Sequence, residues 1–135
     1  MRQRLIYLAG ASSEYLRVRE LAKRLRAAGH VITHDWTIPV EQMRLRGMSE
    51  ASLFDDEAEV RVAECFNGVD RCDTFVLLVP RSTVSTWGAP IELGYARALH
   101  KSIFFVGAIP GIFRVVGAKS DERTVTHDLV AAEGV

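Results

Sequence analysis

Residues Trp87 to Lys101, WGAPIELGYARALHK, place one carboxylate, Glu92, near the start of an apolar stretch and directly behind a loop rich in hydroxyls. The spacing predicts a helix from Pro90 to His100, with proline suited to the first helical position. Ala89 is then the N-cap and Glu92 the third helical residue. A capping box wants Ser or Thr at the cap. Ala89 has no hydroxyl, so the usual structural duty of a Glu at this position is partly missing. The positive end of the helix dipole favours an ionised carboxylate, the state a nucleophile needs. Gly94 costs helix stability, which predicts close packing or ligand approach at that turn. A solvated first-turn Glu satisfies the same local pattern, and the helix alone does not choose between the two.

A second candidate group follows the short apolar run LIYLAG, where GASSE supplies small residues and two hydroxyls, Ser12 and Ser13. Such a loop opens a helix whose first N–H groups are unpaired and favour anions. It is neither a dinucleotide GxGxxG fingerprint nor a GxxxxGK[ST] phosphate loop, and N-capping explains the serines equally well. Cys65 and Cys72 fall in one predicted helix, about 10 Å apart along its axis, too far for a disulfide within it. No Cys/His cluster has zinc spacing. His30, His34, His100 and His127 are scattered and read as surface or loop histidines. No metal site and no cofactor are expected.

These residues need a scaffold that gathers them. Leu5 to Gly10 reads as a strand. Val18, Leu21, Ala22, Leu25 and Ala28 recur at helical spacing, with Gly29 as the stop. Val31 to Trp36 reads as a second strand. Thr37 to about Glu50 carries Pro39 and Gly47 and reads as an irregular binding loop or lid. Ser52 to Arg71 fits a helix with the stripe Ala58, Val62, Phe66 and Val69 and an acidic start. Thr74 to Val79 is a central buried strand, Ser102 to Gly107 another, Ile112 to Val116 a weaker one, and Glu122 to Ala132 a closing helix. The alternation predicts one α/β domain over residues 1–135, a flavodoxin-like or Rossmann-like three-layer sandwich with a mostly parallel five-stranded sheet. Ligands of such folds bind beyond the carboxyl ends of the strands. Gly10 to Ser13, Pro80 to Gly88 and the helix bearing Glu92 therefore converge.

The segments IYLAGA, NGVDRCDTFVLLVP and GAPIELGYARALHK, in this order, resemble the nucleoside 2-deoxyribosyltransferase-like family over roughly residues 4 to 107. ELGYA followed by a basic residue and a hydrophobic strand is the most specific piece. The resemblance implies a flavodoxin-like fold, assembly as homodimers or larger homo-oligomers that complete each other's sites, and cleavage of the N-glycosidic bond of a nucleoside or nucleotide. It assigns Glu92 as the nucleophile that holds a covalent glycosyl intermediate, by the retaining logic of glycosidases. It assigns Tyr7 to positioning that nucleophile. Gly10, Ser12, Ser13, Ser85, Thr86 and Gly88 become the expected substrate-binding residues.

Two positions depart from the family pattern. Many transferases carry an Asp six residues before the nucleophile, where this chain has Thr86. A carboxylate repels a 5′-phosphate and a hydroxyl donates to it; the branch that hydrolyses nucleoside 5′-monophosphates also has a hydroxyl there. Ser82, Thr83 and Ser85 add donors, so a 5′-monophosphate is the preferred substrate. The family's proton-transferring Asp is replaced by Cys65, and a thiol of ordinary pKa is a poor substitute. Asp35, Asp55 or Asp56 is then the candidate acid, or the protein is slow, or it is a non-catalytic nucleotide-binding module. Asp73 matches a family aspartate with a structural part. A hydrolase of nicotinamide dinucleotide ranks last, and a receiver domain is set aside because no acidic pair ends the first strand.

Bulk properties fit a small-molecule partner. The 135 residues carry 17 basic and 17 acidic side chains, a formal net charge of zero, which argues against a nucleic-acid polymer or a membrane surface. No run approaches a membrane span and no signal peptide is visible, so a cytoplasmic protein is expected.

Overall fold

The computed structural model describes residues 3–49, 53–81, 86–109 and 115–120. Five strands, β1 (Leu5–Ala9), β2 (Val31–Ile32), β3 (Thr74–Leu78), β4 (Ser102–Val106) and β5 (Ala118–Ser120), form one sheet in the order β2-β1-β3-β4-β5. Every neighbouring pair is parallel. The helices are α1 (Tyr15–Ala27), α2 (Thr37–Leu45), α3 (Asp55–Arg71) and α4 (Gly88–Ala98). A parallel sheet flanked by helices in this order is the flavodoxin-like class. Its strand order reverses between β1 and β3, which places a ligand crevice at their carboxyl ends.

Sequence period explains most of the elements. All five residues of β3 are buried, as its unbroken apolar run requires of a strand covered on both faces. Val18, Leu21, Ala22 and Leu25 form the buried stripe of α1. The helix ends where Gly29 adopts φ 95°, a conformation a side chain resists. Tyr7 of β1 stacks on its register partner Phe75 of β3, ring centroids 5.8 Å apart.

Five expectations are corrected. The second strand stops at Ile32, and residues 37–45, expected as an irregular loop, form α2. Pro39 is the third residue of that helix, where its missing N–H costs no intrahelical bond. Trp36 is the N-cap, and Asp35 before it braces the first turn, its Oδ1 accepting from the N–H of Thr37 at 3.1 Å and from the Thr37 hydroxyl. Val115 and Val116 precede the last strand and do not form it; the strand is Ala118–Ser120. The expected stripe of α3 is not a core stripe, since Val62 is exposed and only Gly68 and Val69 are buried. Finally, α4 begins at Gly88 with Trp87 as N-cap, so Glu92 is the fifth helical residue. It lies past the first turn, where the end-of-helix field has largely decayed. The expected closing helix over 122–132, His127, and residues 112–114 of the expected strand lie outside the described residues.

Candidate active site

A cavity of about 430 Å³ opens at the carboxyl ends of β1 and β3. Its floor and walls come from the segments the fold was expected to gather: Gly10 and Ser12 after β1, Thr86 to Ala89 at the start of α4, and Glu92 one turn further on. Two further walls come from helices: one lies in the segment expected as a binding loop or lid, and the other, on α3, was not anticipated. Pro39, Val40 and Met43 of α2 form one, and Ala58, Arg61, Val62, Cys65 and Phe66 of α3 form the other. The apolar stripe of α3 therefore faces the cavity, which accounts for its exposure.

Among the expected binding residues, Gly10, Ser12, Thr86 and Gly88 line the cavity. Ser13 does not; it is exposed on the 3-10 turn Ser12–Glu14. Such a turn rotates successive side chains by about 120°, so neighbouring serines point apart. Neither serine caps a helix, because the caps are Ala11 and Glu14 and no side-chain cap bond forms. Ser85, with Ser82 and Thr83, lies outside the described residues. Glu14 braces the two loops: its carboxylate accepts from Arg17 at 3.2 Å and from the Arg81 N–H at 3.2 Å.

Tyr7 lies at the centre of the constellation. Its side chain is fully buried, and its hydroxyl meets no partner at full hydrogen-bond geometry among the described residues. The Glu92 carboxylate and the Cys65 thiol are nonetheless close enough to act on it. Burial first, then the Glu92 charge, then Cys65 push the phenol far above its ordinary range. The phenol therefore keeps its proton beside Glu92. Gly68 makes this geometry possible. A Cβ there would stand 2.7 Å from the His34 Cβ and 2.9 Å from the Tyr7 ring, so only glycine lets α3 press against both. The Thr33 hydroxyl donates to the Gly68 carbonyl at 2.7 Å and ties the helix to the end of β2.

Cys65 also lines the cavity. Burial is the largest influence on its thiol, and although the nearby Tyr7 hydroxyl pulls the other way, the pKa is pushed up to about 11. At pH 8 on the order of one molecule in a thousand carries the thiolate. Iodoacetamide labelling of Cys65, followed by peptide mass spectrometry, is expected to be negligible at pH 7.5 and to rise about tenfold per pH unit toward pH 10. Fast labelling at neutral pH contradicts this placement.

None of the expected alternative acids lines the cavity. Asp35 accepts the Thr37 N–H at the start of α2 and pairs with Arg26 at 3.2 Å. Asp55 and Asp56 are exposed at the start of α3. Glu64 points to His34, 3.9 Å away. Asp73 holds the far end of the sheet, accepting from the Leu5 N–H at 3.2 Å and the Thr74 hydroxyl at 2.7 Å. Two histidines depart from the surface reading. His30 is buried and its Nδ1 accepts the Arg4 N–H at 3.0 Å, and His34 lines the cavity. Burial lowers the His34 pKa more strongly than Glu64 and Asp35 raise it, while Arg71 and Arg61 add to the lowering. The missed residues are Arg61 and His34. Arg61 could have been found, because it lies one helical turn before Cys65 on the same face.

Trp36 is buried against the cavity and donates its indole N–H to the Leu8 carbonyl at 2.7 Å. Trp87 is 79% exposed at the rim. Phe66 packs edge-on against Tyr95 at 5.0 Å, joining α3 to α4.

In structure comparison, 96% of the chain aligns with 99% of the Clostridium botulinum CMP N-glycosidase BcmB, at 19% identity and a TM-score of 0.56. The two chains share a fold. No protein-family model and no curated protein matches the chain. Among the described residues, no helix is long and apolar enough to cross a membrane, and no group of three or more His, Cys, Asp or Glu is placed to hold a metal ion.

Proposed function

We propose that this chain is a member of the nucleoside 2-deoxyribosyltransferase-like family that cleaves the N-glycosidic bond of a nucleoside 5′-monophosphate through a covalent glycosyl-Glu92 intermediate. The observation that carries this reading is the Glu92 carboxylate on the wall of a 430 Å³ cavity with the buried Tyr7 hydroxyl beside it. Tyr7 orients the carboxylate toward C1′ of the sugar. Glu92 attacks as the base departs, and water or a second base then takes the sugar, with charge building on an oxocarbenium-like ring in both steps.

Several features support a 5′-phosphate over a free 5′-hydroxyl. Gly88 and Ala89 line the cavity as the first two residues of α4, where helix N–H groups lack intrahelical partners and favour an anion. Ser12 and Thr86 add hydroxyl donors to the same lining. Homo-oligomerisation fits the apolar rim, where Trp87, Ile91 and Val62 are 79%, 54% and 53% exposed and a second copy would cover them. The two free thiols fit a reducing compartment such as the cytoplasm.

The test is incubation with nucleosides, deoxynucleosides and their 5′-monophosphates, with free base followed by chromatography. Release of base from a monophosphate, faster than from the matching nucleoside, is expected. The absence of a second carboxylate in the cavity wall, among the described residues, favours one other reading, a nucleotide-binding module without turnover. Binding of monophosphates with no base released would decide for it.

A further inference from the structure

The donors around Glu92 set limits on the base that can leave. Among the described residues lining the cavity, Glu92 is the only Asp or Glu, and the other titratable or charged groups are Cys65, His34 and Arg61. Retaining cleavage of a poor leaving group needs a carboxylic acid to protonate it. Cys65 holds its proton too tightly for that part, with a thiol pushed up to about 11 by burial. His34, its pKa lowered by burial, is neutral at physiological pH. Arg61 offers N–H donors in a fixed fork and no proton to give. It forms no ion pair among the described residues, and it stands one turn from Cys65 on the wall beside Tyr7 and Glu92.

We propose that Arg61 recognises the leaving base and that this base is a pyrimidine-2,4-dione, which departs as an anion. The inference rests on the glycosidase reading above and adds the substrate class. A Glu92 oxygen bonds to C1′ as the C1′–N1 bond breaks. The bonding pair goes to N1 and spreads onto the ring carbonyl oxygens, where the guanidinium donates. Water then attacks C1′, its hydroxyl stays on the sugar, and Glu92 is regenerated as the carboxylate. The proton released at that step balances the one the free base takes up. A cytosine- or adenine-type base holds the electron pair poorly and needs an acid that none of the described lining residues supplies.

The test is single-turnover base release by the wild-type chain from UMP, 5-fluoro-UMP, CMP and AMP, repeated with R61Q and R61K. Uracil is expected to leave faster than cytosine or adenine, and 5-fluorouracil, the better leaving anion, faster still. R61Q should slow uracil release by about 10- to 100-fold, the value of a hydrogen bond to a charged group, and R61K should keep part of the rate. Faster release of cytosine or adenine, equal rates for the two uracils, or an R61Q chain with unchanged rate and preference would overturn the inference while base release itself upheld the glycosidase reading. No base from any of the four would remove both. The leaving-group series needs no variant, so a misfolded R61Q chain does not protect the proposal.

Discussion

Glu92→Gln is expected to lower base release by at least about a thousandfold while leaving monophosphate affinity within a fewfold of wild type. Gln keeps the volume of Glu and its place on the cavity wall, but an amide does not act as a nucleophile, and losses of this order follow removal of an attacking group. The split between rate and affinity is the informative part. A residue that only shaped the cavity would change both. A carboxylate that merely served helix solvation would change neither, and a Glu92→Gln chain with unaltered turnover would return Glu92 to that role. Base release by chromatography and monophosphate binding by calorimetry, on one preparation, measure the two quantities.

Gly68→Ala is expected to destabilise the fold by about 2 kcal/mol, although Ala is the better helix former. Two opposing effects set the sign. In a helix interior the exchange returns about 1 kcal/mol. Against it, the new Cβ would stand 2.7 Å from the His34 Cβ and 2.9 Å from the Tyr7 ring. Tyr7 is fully buried and stacked on Phe75, so neither neighbour yields cheaply and α3 itself must move. Overpacking of this kind costs about 3 kcal/mol, which leaves the net loss and lowers the Tm by roughly 7 °C. Displacing α3 also shifts Cys65 and Arg61, so activity should fall further than stability explains. Gly94→Ala is the control. A Cβ there meets nothing within 4 Å, and the same exchange should stabilise by about 0.5–1 kcal/mol. Thermal unfolding of the two variants, followed by circular dichroism, gives both signs. Two changes of the same sign would contradict the packing account.

The open space at Gly94 also removes close packing within the described chain as the reason for that glycine; the close approach is at Gly68, which no local pattern marks. What period and composition expose was legible. The buried run of β3, the stripe of α1, and the convergence of Gly10, Ser12, Thr86, Gly88 and Glu92 on one crevice all follow from strand and helix order. The helix α2 was hidden because Pro39 and Gly47 look like breakers and its apolar residues lie on more than one side: Val40 and Met43 are buried, Ile38 and Leu45 exposed. The start of α4 was misplaced because a proline in the first turn fits position three as well as position one. The α3 wall was misread for a different reason. Ala58, Val62, Cys65 and Phe66 have the period of a core stripe, and nothing in a period says whether it faces a core or a cavity. His34 was hidden by the same gap, since its place depends on α3 and β2 meeting across distant sequence.

A covalent adduct on the chain tests the central claim most directly. A nucleoside 5′-monophosphate with fluorine at C2′ slows both attack and hydrolysis by destabilising the oxocarbenium-like state, so the glycosyl-enzyme should accumulate. Intact mass spectrometry is expected to find the chain heavier by one fluorinated sugar phosphate residue, and peptide mapping to place it on Glu92. Base released from this compound with the chain unmodified, or an adduct on any other residue, would contradict the account.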